Sequence, residues 1–200
     1  MRAQIWVVAG PNGSGKTTFT RRFLAGKLPV VNPDDIAERE SVRSVSAGRL
    51  AIRRQQALLD ADHSFAFETT LSGRHEIDLM RQAAKQGYKV NLVFIALDTA
   101  DLSIGRIVQR VLDGGHNVPS VDVKRRYSRS LANLPEALHL SDRAFLVDNT
   151  RARPRVLVSI EAGRLKRAVR DLPRWAAAAV AERFETDPIR RGEGGAHAPG

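Results

Sequence analysis

The sequence feature that most constrains this chain is the stretch GPNGSGKT at residues 10–17. It matches the pattern G-x-x-x-x-G-K-[ST] at every fixed position, with a short apolar run before it and a helical pattern after it. In this setting the glycines allow successive backbone N–H groups to turn towards phosphates, and the N-terminus of the helix adds positive potential. The stretch therefore predicts a nucleotide-binding P-loop between a buried strand and a helix.

The remainder of the chain alternates apolar runs with amphipathic patterns. Strands are predicted at residues 4–10, 29–32, 64–68, 88–97 and 144–148, with an edge strand at 155–160; helices are predicted at 15–25, 43–62, 74–86, 100–112, 121–138 and 173–184. Ser120 is available as an N-cap. This order predicts an α/β P-loop NTPase fold, with a mostly parallel sheet of five or six strands, helices on both faces and a helical lid. We expect residues 1–186 to form one domain and residues 187–200 a disordered tail.

Composition narrows the classes of function. The 200 residues include no Cys, which excludes disulfides, thiolate metal sites and a Cys nucleophile. The apolar runs are shorter than a secretory signal or a membrane span, so we expect a soluble, cytoplasmic protein with no membrane partner. A formal net charge of +10 favours phosphate-bearing or acidic partners. Charge alone does not distinguish a kinase from a nucleic-acid-binding protein.

The P-loop predicts the phosphoryl-donor site and leaves the acceptor open. Lys16 is expected to reach the β- and γ-phosphates of ATP as a catalytic cation, and the Thr17 hydroxyl to ligate Mg²⁺. ATP and GTP are not distinguished by these residues. The residues expected to bind the nucleotide are Gly10, Pro11, Asn12, Gly13, Ser14, Gly15, Lys16, Thr17 and Thr18, together with Arg110, Arg126 and Asn149.

In open α/β sheets, ligands bind beyond the carboxyl ends of the strands, so the residues there are the candidates for catalysis. Asp34 and Asp35 follow the second predicted strand, where a carboxylate can take the proton from an attacking hydroxyl. Asp34 is favoured as this base, and the alternative is an Asp that caps the following helix. Asn149 and Thr150 follow the fifth strand, either as adenine contacts or as a polar turn.

The segment after the third predicted strand reads FETTLSGR and offers an acid, hydroxyls and an arginine. Glu68, Thr70 and Arg74 are the candidates for binding a polyhydroxylated or phosphorylated acceptor. A turn followed by a helix cap explains the same residue types. Glu68 has a further alternative, in which it organises the water shell of Mg²⁺.

A basic segment follows the fourth predicted strand and is the candidate lid. Arg110 is assigned to catalysis and nucleotide binding, because phosphoryl transfer needs cations around the γ-phosphate. His116, Arg125 and Arg126 compete for the place of a second lid cation. The alternative is that these arginines occupy a solvated helix face.

Together, GPNGSGKTT, VNPDD, FETTLSGR, GYKVNLVFIAL, IGRIVQRVLDGGHNVP and RRYSRSLANL resemble the zeta toxin family of P-loop kinases in its short form, over about residues 4–150. The resemblance implies an ATP- and Mg²⁺-dependent kinase that phosphorylates the sugar 3′-hydroxyl of UDP-N-acetylglucosamine, with an antitoxin protein that blocks the nucleotide site. It matches Asp34 to the family's catalytic aspartate and Arg110 to the first of two phosphate-binding arginines. It matches Glu68, Thr70 and Arg74 to residues that contact the sugar nucleotide.

The chain departs from the family at the second arginine, where alignment on Val118-Pro119 places His116, and it lacks the long insertions of the larger toxins. The favoured interpretation is a kinase whose acceptor is a sugar nucleotide. The alternatives are a kinase of a dinucleotide or an antibiotic and, ranked lower, a nucleic-acid-stimulated NTPase or a catalytically inactive binding module.

Overall fold

A computed structural model of the chain describes residues 2–112, 114 and 117–181. The strands in this part are β1 (Gln4–Ala9), β2 (Val30–Val31), β3 (Phe65–Thr69), β4 (Lys89–Ala96), β5 (Arg143–Asp148), β6 (Arg155–Glu161) and β7 (Arg164–Ala168). The helices are α1 (Lys16–Phe23), α2 (Pro33–Arg39), α3 (Ser44–Asp60), α4 (His75–Lys85), α5 (Ala100–Leu112), α6 (Ser120–His139) and α7 (Arg174–Ala181). The predicted tail at residues 187–200 lies outside the described residues.

The strands form one sheet in the order β2-β3-β1-β4-β5-β6-β7. The pairs from β2 to β5 are parallel, and β6 and β7 are added antiparallel. The predicted α/β fold with a mostly parallel sheet is therefore confirmed. This order places the ends of β1, β2 and β3 side by side, although residues 32–64 separate β2 from β3 in the sequence.

Within residues 2–112, 114 and 117–181 the sheet has seven strands, whereas five or six were predicted; the strand that was not predicted is β7. Its sequence, RLKRA, has a single large apolar residue, so no period-two hydrophobic pattern is visible. The turn at Ala162 and Gly163, both with positive φ, gives the hairpin geometry that joins β6 to β7. The predicted edge strand at 155–160 is consequently an inner strand, and β7 is the edge.

Both faces of the sheet are covered, as the alternation along β1 shows. Ile5 and Val7 point into a large cluster with α3, α4, α6 and α7, where Trp175 of α7 contacts Phe94 with ring centroids 5.8 Å apart. Val8 points into a smaller cluster on the opposite face, against α1. Strand residues are thus buried on both faces, as expected for a parallel sheet with helical crossovers.

Two helix predictions need correction. A separate helix, α2, precedes α3, and it begins at Pro33, where the missing N–H of proline costs no helical hydrogen bond. The N-cap position of α6 is Pro119, and Ser120 lies inside the helix, so Ser120 is not the cap. Among the described residues, no helix is both long enough and apolar enough to cross a membrane.

Candidate active site

One cavity of about 370 Å³ collects most of the predicted site residues. It lies where the P-loop, the N-terminus of α2 and the carboxyl end of β3 meet α5 and α6. The predicted residues that line it are Asn12, Gly13, Gly15, Lys16, Thr17, Thr18, Asp34, Glu68, Thr70, Arg110 and Arg126. Distant segments of the chain therefore meet at one site because their strands are neighbours in the sheet.

The P-loop backbone requires glycine at its ends. At Gly10 (φ 141°) a Cβ would lie 1.9 Å from the carbonyl oxygen of Ile95 on β4, so no side chain fits there. Gly15 has φ 97° and precedes α1 at the N-cap position. The first turn of α1 has no side-chain cap and no acidic residue, which leaves N–H groups and positive potential for an anion.

Lys16 is held within the loop. Its Nζ donates hydrogen bonds of 2.9 Å to the carbonyl oxygens of Gly10 and Pro11. Burial lowers the pKa of Lys16 to about 8, and the nearby Arg110 and Arg126 act in the same direction. The carboxylates of Glu68 and Asp34 oppose that shift but do not offset it. Three cations therefore converge on one small volume, which is the arrangement that a polyanion such as a triphosphate stabilises.

Thr17 and Glu68 form the candidate metal-binding part of the site. The Thr17 hydroxyl donates a 2.8 Å hydrogen bond to Oε2 of Glu68. Glu68 is 6% exposed, and burial raises its pKa, while the Thr17 hydrogen bond and Lys16 lower it. Both groups present oxygen atoms, the ligand type that Mg²⁺ prefers, so the residues present fit the predicted ion.

The N-terminus of α2 distinguishes the two candidate aspartates. Oδ1 of Asn32 accepts a hydrogen bond from the Asp34 backbone N–H at 2.9 Å, so Asn32 is the helix cap and neither aspartate has that role. Asp34 lines the cavity. Asp35 instead lies 3.9 Å from Arg21 of α1. Geometry therefore leaves the Asp34 carboxylate available to a ligand in the cavity.

The segment after β3 is divided between the cavity and the surface. Thr70 lines the cavity and shares a 2.8 Å hydrogen bond with the Ser72 hydroxyl. Arg74, predicted as a substrate-binding residue, does not line it. Its guanidinium forms an exposed pair with Glu136 of α6, with a shortest N–O distance of 2.9 Å. The structure therefore does not bring Arg74 together with the other predicted residues.

Of the candidate lid cations in the described residues, Arg126 lines the cavity beside Arg110. Arg125 points to the exposed side of α6, where it pairs with Asp122 at 2.7 Å. His116 lies outside the described residues. The orientation of α6 follows from Tyr127, whose hydroxyl donates to the carbonyl oxygens of Leu97 (2.8 Å) and Asp98 (3.0 Å). Burial raises the pKa of Tyr127 to about 12, so this hydroxyl stays a donor.

Asn149 contacts the P-loop itself. Its side-chain amide donates a 2.8 Å hydrogen bond to the carbonyl oxygen of Ser14, and a Cβ at Gly15 would lie 2.5 Å from the same nitrogen. This contact supports the loop from the end of β5. The predicted adenine contact stays a prediction, and the observed contact gives Asn149 a different structural role.

Five residues of the cavity wall were not among the predicted site residues: Asn32, Pro33, Thr69, Glu76 and Arg106. Arg106 lies one helical turn before Arg110, and its guanidinium donates to the carbonyl oxygen of Asn149 at 2.6 Å. Thr69 and Glu76 line the same cavity and are joined by a 2.9 Å hydrogen bond from the Thr69 hydroxyl. The four-residue spacing of Arg106 and Arg110 could have indicated that both side chains lie on the same face of a helix. No local pattern indicated Glu76, because its neighbours look like an ordinary acidic first turn of a helix.

The chain matches a family model described as "AAA domain" over residues 5–135. It belongs to this AAA domain family. An uncharacterized protein of Haemophilus influenzae is 31% identical to it over an alignment of 139 residues, which covers 64% of this chain and 99% of that protein. Residues 5–135, which match the family model, contain the P-loop and every cavity-lining residue named above.

Solved structures show the same fold at lower identity. The AvrRxo1-ORF1:AvrRxo1-ORF2 complex superposes with a TM-score of 0.64 at 20% identity, covering 82% of this chain and 60% of that one. The same complex with ATP gives a TM-score of 0.57 at 18% identity over the same shares. A structure of the PezAT chromosomal toxin-antitoxin system of Streptococcus pneumoniae gives 0.57 at 17% identity, covering 80% and 71%. These likenesses show that the chain shares their α/β fold, and it covers 60% of the AvrRxo1 chain, less than two thirds.

Proposed function

We propose that this protein is an ATP-dependent small-molecule kinase, which transfers the γ-phosphoryl group of ATP to a hydroxyl of a sugar nucleotide such as UDP-N-acetylglucosamine. The observation that carries the proposal is the convergence of Lys16, Asp34 and the arginines on one cavity next to the P-loop. A nucleotide-binding protein without transfer chemistry has no need of a carboxylate aimed at the same volume as its phosphate-binding cations.

Donor binding follows from the loop. The N-terminus of α1 and the backbone of residues 10–15 hold the phosphates, and Lys16 moves from its carbonyl partners to the β- and γ-oxygens. The similarity to a fold solved with ATP supports ATP as the donor. Thr17 would hold Mg²⁺ directly and Glu68 would accept hydrogen bonds from its water ligands. The ion would neutralise phosphate charge.

In the transfer step, the acceptor hydroxyl oxygen attacks the γ-phosphorus as the bond to the β–γ bridging oxygen breaks, and ADP leaves. The proton of that hydroxyl passes to the Asp34 carboxylate. Arg110 and Arg126 stabilise the negative charge that spreads over the three oxygens of the transferring group. Asp34 is exposed to solvent, so an acceptor can approach it directly.

The surroundings of Asp34 suit an acceptor larger than a simple sugar. A second cavity of about 970 Å³ adjoins the first and shares Asp34 and Arg110 with it. Arg21 and Arg43 also line this cavity, and planar guanidinium groups bind phosphate oxygens in pairs. A nucleoside diphosphate occupying this space would leave its sugar at Asp34, which supports a sugar nucleotide over a small unphosphorylated acceptor.

The proposal is tested by an acceptor screen. Purified protein is incubated with ATP and Mg²⁺ and with UDP-N-acetylglucosamine, a dinucleotide or an aminoglycoside, and products are detected by mass spectrometry as a mass gain of one phosphoryl group. We expect transfer to the sugar nucleotide, and a loss of about 10³-fold or more in turnover for Asp34→Asn with ATP affinity within about twofold of wild type. ADP release with no acceptor modified would refute the kinase proposal.

We further propose that an antitoxin protein binds this chain. The similarity to a toxin-antitoxin system and to a two-protein complex supports this partner. Expression of the chain alone is expected to arrest bacterial growth, and co-expression of the small protein encoded by the adjacent reading frame to restore it. Growth that is equally unaffected by wild type and Asp34→Asn would contradict toxicity.

A further inference from the structure

Glu76, in the first turn of α4, has its carboxylate oriented by a short chain of hydrogen bonds. The Thr69 hydroxyl donates to Oε1 of Glu76 at 2.9 Å, and the same hydroxyl oxygen accepts from the Leu71 backbone N–H at 2.9 Å. Because Thr69 accepts from an amide, its single proton is directed to Glu76. Oε1 therefore accepts a hydrogen bond from the protein, and this contact fixes the position of Oε2.

The other oxygen, Oε2, is buried and accepts no hydrogen bond from any residue that the structure describes. A buried acceptor without a donor is destabilising, and a donor on a bound ligand would remove that cost. The backbone at Gly73 lies close by, since a Cβ there would be 3.0 Å from Oε2. Gly73 thus leaves just enough room for this oxygen to stay where it is.

Glu76 lines the same cavity as Asp34, the proposed base, and Thr70. A ligand whose reacting hydroxyl is at Asp34 therefore has Glu76 within the same cavity of about 370 Å³. Next to a reacting hydroxyl, the group that a carboxylate oxygen binds most naturally is a second hydroxyl donor.

We propose that Glu76 selects the acceptor: its Oε2 accepts a hydrogen bond from a second hydroxyl, close to the one that is phosphorylated, so the substrate class is a sugar with neighbouring hydroxyls. This inference rests on the proposed kinase function. It assigns Glu76 to recognition and leaves proton removal to Asp34. The hydrogen bond is charge-assisted, and an acceptor that lacks the second hydroxyl leaves Oε2 buried and unpaired.

The test compares UDP-N-acetylglucosamine with its 4-deoxy and 6-deoxy analogues as acceptors, by steady-state kinetics at saturating ATP. For wild type, kcat/KM is expected to fall about 10- to 100-fold for one of the two analogues. Glu76→Gln keeps the side-chain volume and an oxygen for Thr69 but replaces Oε2 with a donor. We expect its kcat/KM for the parent sugar nucleotide to fall by the same factor and its discrimination to drop below about threefold.

A second variant tests the inference without altering the carboxylate. Gly73→Ala places a methyl group 3.0 Å from Oε2 and should raise the KM for the acceptor while the KM for ATP stays within about twofold. The matched controls are Asp78→Asn, an exposed acid on the same helix that pairs with Arg81, and Gly48→Ala, which meets open space. Both controls should keep wild-type kinetics and discrimination.

The outcomes separate the two proposals. Wild-type discrimination retained in Glu76→Gln, in a variant whose melting temperature is unchanged, overturns the role of Glu76 and leaves the kinase intact. If Glu76→Gln fails to fold, an unchanged acceptor KM in Gly73→Ala overturns it instead. A wild-type protein that phosphorylates none of the three sugar nucleotides overturns the sugar-nucleotide proposal and this inference with it.

Discussion

Replacement of Asn149 by Ala tests whether this residue supports the P-loop or reads the nucleotide base. In the structure the amide of Asn149 donates a 2.8 Å hydrogen bond to the carbonyl oxygen of Ser14, within the loop. Asn149→Ala removes this donor from the carbonyl oxygen of Ser14, a residue that is fully buried. A lost hydrogen bond of this kind costs about 1–3 kcal/mol.

If phosphate binding needs the loop in its observed conformation, that free-energy cost lowers the nucleotide affinity by a corresponding amount. A cost of about 1–3 kcal/mol corresponds to a loss of affinity of about 5- to 150-fold. The loss should be the same for ATP, GTP and inorganic triphosphate, because the contact concerns the loop backbone and no part of a base. A base contact would instead weaken ATP selectively and leave inorganic triphosphate unaffected.

Isothermal titration calorimetry with the three ligands distinguishes these outcomes directly, with thermal unfolding as the check on the folded state. Asn133→Ala is a matched control, since the Asn133 amide also donates to backbone carbonyl oxygens, those of Leu71 and Gly73, but these lie outside the P-loop. Its triphosphate affinity should stay within about twofold of wild type. Unchanged affinity of Asn149→Ala for inorganic triphosphate would refute the loop-support role.

Further tests address the cations and the loop. Between about pH 7.5 and about pH 9, ATP affinity should fall roughly tenfold, because Lys16 has a pKa of about 8 without phosphate and must take up a proton to bind it. Calorimetry in two buffers counts that proton, and no uptake at the higher pH contradicts the prediction. Arg126→Ala should slow transfer about 10²-fold in rate assays, and exposed Arg125→Ala less than about threefold. Gly15→Ala should weaken ATP binding in calorimetry by more than about tenfold, since its φ of 97° strains any residue with a Cβ and that Cβ would displace the Asn149 side chain from the loop.

Much of the fold could be predicted from the sequence because most of its strands and helices have local hydrophobic patterns. The run before the P-loop and the residues of β4 are apolar on both faces, and this pattern predicted a parallel sheet with helical crossovers. β7 was missed because RLKRA shows no alternation, and because Gly163 is the single turn-forming residue type in a hairpin turn that also holds Ala162 at positive φ. α2 was missed because seven residues are too few for a clear helical period.

For the site, too, local patterns predicted some residues and tertiary contacts decided others. Lys16 and Thr17 were predicted from a motif, and the position of Asp34 was predicted from the rule for strand ends. Arg74 belongs to the same local segment as Thr70, yet the structure pairs it with Glu136 outside the cavity. The side of a turn that a residue faces depends on the helix packed against it, and here that helix is α6, over 45 residues further along the chain.

By itself, the sequence determined the phosphate-binding loop and the α/β class, because both depend on residue types at fixed short spacings. Only the tertiary structure decided which of the later residues meet the loop. It placed Arg126, and not Arg125, in the cavity wall, and it paired Asn149 with the loop backbone. It also placed Glu76, whose Oε2 is buried and has no partner among the described residues, among the residues that line the cavity. The physical reason is that such contacts depend on strand order and helix rotation, which are set by the burial of the whole core and by no single segment.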